Sequence, residues 1–245
     1  MAAVAGGYLV FHAALQWGLL LKYLRWVKFL TPASNRLQHI VNETATRMGT
    51  SARAVWELGG AAAYAFAFPT TRELVISKRL LELCDDEEIA AISAHELGHL
   101  TESKAVLLGR LLGSLSLFPI IFISPAASWF GTFGILIPFL TIFLMVHFTR
   151  VFSQRMEKRA DAVALKQQTN EGVYARALEK FYRENLLPAV NVNNRHTHPH
   201  LYDRMIAAGI TPNYPRPARP PRVTLPSLAI YFALGIIFAM LVMRG

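Results

Sequence analysis

Apolar and polar positions divide the chain into long uniformly apolar runs and shorter segments with helical or strand periodicity. Val4 to Leu21 is apolar apart from His12 and Gln16, and Lys22, Arg25 and Lys28 follow closely. This predicts a membrane helix with its amino terminus outside and its carboxyl end in the cytoplasm. A cleaved signal peptide would carry its positive charge ahead of the apolar stretch, so an uncleaved anchor is expected. Ala105 to Ser124, interrupted only by Arg110, and Gly131 to Phe148 predict a second and a third span. Pro125 to Phe130 between them is short and uncharged, which predicts a hairpin with its tip away from the cytoplasm. Lys104, Arg150 and Arg155 flank it on the other side. Leu225 to Met243 predicts a fourth span, leaving both chain ends outside.

Between these runs the pattern changes. Thr31-Pro32 is a break, and Ser34 to Ser51 places Leu37, Ile40, Val41 and Met48 on one side of an amphipathic helix. Ala61 to Phe68 and Glu73 to Ser77, separated by Pro69-Thr70-Thr71, predict a hairpin or two neighbouring strands, and Lys78 to Leu83 a short helix. Asp85 to Glu88 supplies acidic residues for a first helical turn, with Ile89, Ile92 and Leu97 as the apolar stripe behind it. Phe152 to Lys166 returns to helical spacing. Gly172 to Leu187 is an amphipathic packing helix around Val173, Leu178, Phe181, Tyr182 and Leu186. Asn191 to His200 is a polar loop with His196, His198 and His200, and Pro199 to Ala208 restarts a helix capped by Gly209. Pro212 to Pro226, with Arg216, Arg219 and Arg222, reads as a stiff linker.

Composition sharpens the membrane reading. The chain is 53% hydrophobic and 17% charged, unlike an ordinary soluble domain. A formal charge of +9 could point to nucleic acid, but the basic residues gather beside apolar runs and in the proline-rich stretch. Membrane flanks account for them, and no nucleic-acid partner is expected. A lone cysteine, Cys84, excludes an internal disulfide and a thiolate metal cluster.

The chemistry centres on His95-Glu96-Leu97-Gly98-His99. In a helix, His95 and His99 lie one turn apart on one face and can close on a single zinc ion, while Glu96 can take a proton from a water held there. A buried helix with two satisfied histidines is the alternative, but a buried glutamate between them would still need a partner. Two histidines leave a catalytic zinc one protein ligand short. Glu157 can supply it from a separate helix, and Asp161, four residues on, can hold a ligand histidine or a neighbouring arginine. Without the histidines, Glu157 and Asp161, with Arg155, Lys158 and Arg159 near them, would read better as a solvated charged face. Glu102, three residues after His99, competes as third ligand but ranks below Glu157, since it shares the histidines' helix. A strand close to such a helix matters because an extended peptide can add to a free sheet edge.

Four features in order, spanning about Ala63 to Arg204, resemble the membrane-embedded gluzincin peptidases related to HtpX and the CAAX prenyl proteases. They are Ala65-Phe66-Ala67 with the strand at Leu74-Val75-Ile76, the His95–His99 motif, Glu157 with Asp161, and Thr197-His198-Pro199 with Arg204. Tyr64 stands where that family often has asparagine. The resemblance implies His95, His99 and Glu157 as zinc ligands and Glu96 as general base. It further implies His198 as a group that stabilises the tetrahedral intermediate or contacts substrate, with Asp161 and Arg204 as orienting residues.

The expected fold is mainly α with a small β-sheet, an α+β zincin-like domain with about four transmembrane helices. Its parts are a membrane helix within 1–30, a first portion of the zinc domain at 31–104, and a transmembrane hairpin at 105–149. A second portion of the domain follows at 150–211, then a Pro/Arg-rich linker at 212–226 and a last membrane helix at 227–245. The expected activity is zinc-dependent endopeptidase cleavage of membrane or membrane-associated proteins on the cytoplasmic side, with one Zn2+ per chain and the bilayer as partner. A zinc-stabilised membrane scaffold without turnover is the alternative, disfavoured because a structural site needs no Glu96. A transporter is disfavoured by the scarcity of ionisable residues within the spans.

Overall fold

The computed structural model describes residues 2–16, 18–190 and 200–218. The fourth expected span, the linker beyond residue 218 and His196 and His198 lie outside these residues.

Four short strands form one mixed sheet: β1 (Leu30–Pro32), β2 (Ala54–Leu58), β3 (Ala65–Phe68) and β4 (Glu73–Ser77), in the order β1-β2-β4-β3. β3 and β4 are the expected antiparallel hairpin, whereas β2 runs parallel to β4 and β1 antiparallel to β2. All five residues of β4 are buried, as a central strand between two partners requires. β3 is an edge strand, as β1 is at the other end, with no partner on its second side among the described residues.

Helix α3 (Asn35–Arg47) starts where Ser34 caps it, its side chain accepting from Leu37 N. α4 (Lys78–Leu83) follows β4 directly. α5 (Asp86–Leu100) carries a reciprocal capping box, in which Asp85 accepts from Glu88 N and the Glu88 carboxylate accepts from Asp85 N. Leu37 and Val41 of α3, Leu74 and Ile76 of β4, and Ile89 and Leu97 of α5 pack into one core. The start of α5 is thus fixed, with Asp86 and Glu87 in solvent and Glu88 buried against Lys180, while its second half is driven inward. Here the helix places the two histidines.

The apolar segments depart from simple spans. The first is broken at Gly18, which adopts φ 85° between α1 (Ala2–Gln16) and α2 (Leu19–Trp26). A Cβ there would lie 3.0 Å from Thr71 Cγ2, so both the left-handed backbone and the close approach favour glycine. In the second, α6 (Lys104–Ser114) ends early, a 3₁₀ turn covers Phe118–Phe122, and α7 (Ile123–Phe130) stands where a loop was expected. A 3₁₀ turn over Gly131–Ile135 then leads into α8 (Leu136–Gln167), 32 residues without interruption. The third apolar run and the expected separate helix at 152–166 are therefore one rod, because no glycine or proline falls between them to end it.

Among the described residues, one helical run, Phe118–Gln167, is long and apolar enough to cross a membrane. α6 lies against α8 through Gly109 and Gly113. A Cβ on Gly109 would meet the Phe152 ring at 3.0 Å, and one on Gly113 would run into Thr149. Small residues four apart that let two backbones approach are how apolar helices associate where no hydrophobic effect drives them.

α9 (Val173–Glu184) and α10 (Leu201–Ala207) complete the domain, with Tyr174, Leu178, Leu201 and Met205 in a second core. The start of the Pro/Arg-rich stretch is docked, not extended: Arg216 pairs with Asp203 at 2.9 Å, and Tyr214 packs edge-on against Tyr202.

Candidate metal centre

The site is built where α5 crosses α8. A Cβ on Gly98 would lie 3.5 Å from Ala160 Cα and 3.5 Å from Val163 Cβ, so position 98 has room for little beyond a methyl group and the helices approach closely. Glu157, one turn before Ala160 and Asp161, is thereby brought over the two histidines. His95 Nε2 lies 3.6 Å from Glu157 Oε2, and His99 Nε2 lies 3.6 Å from Glu157 Oε1. One ligand atom from each of the three buried residues falls within 4.8 Å of the others.

The far side of each imidazole is occupied. His99 Nδ1 is 2.7 Å from Glu102 Oε1, so Glu102 orients His99 from behind. His95 Nδ1 is 2.8 Å from the Tyr174 hydroxyl and 3.1 Å from Asp161 Oδ1. Tyr174 donates to Asp161 Oδ1 at 2.7 Å and accepts from Arg204 Nη2 at 2.8 Å. Arg204 clamps Asp161 with Nε on Oδ2 at 2.9 Å and Nη2 on Oδ1 at 2.6 Å. Hydrogen on Nδ1 of both histidines fits this chain, and it turns both Nε2 atoms toward Glu157.

Electrostatics point the same way. Burial works against a charged His95, but hydrogen bonds to Asp161 and Glu157 outweigh it and push the group up to about 9. That field favours positive charge where the three ligand atoms meet. Burial also holds the Tyr174 phenol well above its ordinary range, so the hydroxyl stays a donor. Two imidazole nitrogens, each backed by a hydrogen-bond partner at its Nδ1, and a carboxylate suit a divalent metal ion, and His95, His99 and Glu157 are the residues that would hold it.

Glu96 is buried beside the histidines and lines a cleft of about 400 Å³. Ala65, Phe66 and Ala67 of the edge strand form one wall, and Leu178, Phe181 and Tyr182 of α9 another. The profile of peptidase family M48 matches residues 32–209. The chain belongs to peptidase family M48. M48 peptidases are metallopeptidases, and the matched segment contains every residue of the centre just described. No curated protein matches the chain.

The residues singled out in the sequence fall as follows. His95, Glu96, His99, Glu157, Asp161 and Arg204 meet at one point. His198 lies outside the described residues, and His200 is buried at the start of α10. Asp161 contacts both His95 and Arg204. Glu102 stands behind His99, not beside Glu157 as a rival. Tyr174 carried no signal in the sequence, since a tyrosine at the start of an amphipathic helix reads as core. Glu102 did, through its three-residue spacing from His99.

Proposed function

We propose that this M48 peptidase is a membrane-embedded zinc metalloendopeptidase that cleaves membrane or membrane-associated proteins near the cytoplasmic face. The observation that carries the reading is the convergence of His95, His99 and Glu157 in a cleft walled by the free edge of β3.

Zinc held there would act as a Lewis acid towards a water molecule and the scissile carbonyl. Glu96 takes the proton of the attacking water on a carboxylate oxygen and returns it to the leaving amine nitrogen. An extended substrate adds its backbone to β3, which fixes the carbonyl relative to Glu96. Asp161, Tyr174 and Arg204 keep the His95 ring and tautomer constant, and Glu102 does the same for His99. His198, on the family resemblance, offsets charge on the substrate oxygen.

Membrane embedding is supported by the apolar surface of α8, where Leu136, Phe139, Leu140, Phe143 and Phe148 are all exposed. Side chains of this kind in such number call for lipid around them. The four-span topology, with both ends away from the cytoplasm, rests on the flanking cations. Cys84 is buried, so cysteines introduced at Ser128 and Gln168 can be labelled selectively. External reagent reaching position 168 but not 128 would reverse the topology.

Metal analysis and peptide cleavage on wild type and Glu96→Gln test the activity. Wild type should bind one zinc and cleave. The variant should keep the zinc and lose at least about a hundredfold in rate. Full activity in the variant removes Glu96 as the base, and a zinc-loaded wild type that cleaves nothing leaves only the scaffold reading.

A further inference from the structure

A second cleft, of about 410 Å³, lies between α2 and the sheet, away from the metal centre. Its walls carry Lys22 and Arg25 of α2, Arg53 just before β2, and Glu73 at the start of β4, with Gly18 and Thr71 also lining it. Three cations thus face one carboxylate. That carboxylate is already engaged, because Trp56 Nε1 donates to Glu73 Oε2 at 2.6 Å. Arg25 is aimed by donation from Nε to Leu21 O at 3.2 Å and by stacking 4.9 Å over the Trp56 ring. None of Lys22, Arg25 and Arg53 forms an ion pair among the described residues. Thr71 Oγ1 is buried with no hydrogen-bond partner among them. Positive charge in excess of the single carboxylate, next to an unanswered hydroxyl, asks for an anion with several acceptor oxygens.

The place of the cleft narrows its source. Leu19, Leu20, Tyr23 and Trp26 recur at helical spacing on α2, with Val27 at its C-cap, and all are exposed, Trp26 by 78%. On its other side Leu21 and Leu24 pack into the sheet against Leu30 and Val75. A short helix bound to a domain on one side, with an aromatic apolar stripe on the other, has the character of one lying in the bilayer interface. α1, immediately before it, stays with the apolar segments, the Tyr8 ring 6.0 Å from Phe118. The cleft therefore sits at headgroup depth, where phosphate is the most abundant anion.

We infer that this cleft binds the phosphate group of an anionic membrane lipid and so seats the peptidase domain on the bilayer surface. The lipid source rests on the membrane reading above, and the phosphate chemistry does not.

Purified full-length protein in nanodiscs of phosphatidylcholine doped with phosphatidylglycerol tests it, with retained lipid counted by native mass spectrometry. Wild type should retain phosphatidylglycerol over phosphatidylcholine. Lys22→Gln with Arg53→Gln, both at exposed side chains, should lower that preference roughly tenfold or more, given what each cation contributes near a charged surface. Arg47→Gln, an exposed cation on α3, is the control for bulk charge and should change nothing. Equal retention by wild type and the double variant, or an equal loss in the Arg47 control, overturns the site. Titration of inorganic phosphate in detergent supplies the other arm. Binding that needs Lys22 and Arg53, without lipid preference in nanodiscs, keeps the phosphate site and overturns the lipid source. Alkaline carbonate extraction of native membranes tests embedding separately: a chain released by carbonate loses the membrane reading, whatever the cleft binds.

Discussion

The two halves of α8 obey opposite rules. From Leu136 to Phe148 the large apolar side chains face outward, while from Met156 to Ala164 the buried positions include Glu157 beside Met156, Ala160 and Ala164. Sequence distance between the halves is short, and the backbone geometry is the same. What differs is the medium each half is built to meet. The first half has the wrong surface for water and the second has a charged interior that only paired partners make tolerable. A helix with one polarity throughout could pack in a soluble core or cross a bilayer; this one sets a buried carboxylate, Glu157, next to a long exposed apolar surface.

The largest effects should come from the charged half. His99→Ala removes a ligand atom and should abolish both zinc binding and cleavage, whereas Glu96→Gln should abolish cleavage alone; metal content of the two purified proteins separates them. Arg204→Ala strands the Asp161 carboxylate in a buried setting and should destabilise the domain by about 3 kcal/mol, read from denaturant unfolding. A loss near zero would mean that solvent replaces the guanidinium. In the apolar half, Leu140→Arg puts a cation on an exposed face. In water that is harmless, but in a bilayer it costs about 3 kcal/mol. Membrane integration of the variant, scored by carbonate resistance, should drop while Arg159→Leu, in the charged half, leaves it unchanged. Tyr174→Phe is subtler. The ring stack on His95 survives, the hydroxyl does not, and zinc affinity should fall about tenfold with the fold intact. An unchanged zinc affinity would show that Asp161, 3.1 Å from Nδ1, orients His95 unaided.

Sequence exposed the parts of the molecule in which one physical signal dominates. Two histidines at helical spacing with a glutamate between them, and a second acidic pair four apart, carry ligand chemistry in their residue types, so a candidate centre was legible without coordinates. The β3–β4 hairpin was legible through its turn. β1 was not, being three residues ending in a proline, nor β2, whose Glu57 is buried because its carboxylate accepts from Ser34 N at 2.8 Å. Tyr174 was hidden because its ring satisfies the packing pattern while its hydroxyl does the orienting. The break at Gly18 was hidden by apolar neighbours on both sides, since hydropathy records what surrounds a residue and not the dihedral angle it takes. The continuity of α8 was missed for the converse reason: a change in composition was read as a change of element.

That continuity has a consequence for the timing of synthesis. His95, Glu96 and His99 leave the ribosome ahead of the apolar stretch, while Glu157, Asp161, Tyr174 and Arg204 emerge only after it. A nascent chain paused before Glu157 has two histidines, with Glu102 already behind His99, but neither the third carboxylate nor the Asp161, Tyr174 and Arg204 group behind His95. The candidate metal centre is thus completed late in translation, behind the apolar first half of α8, and the order of residues along the messenger acts as a delay on its assembly.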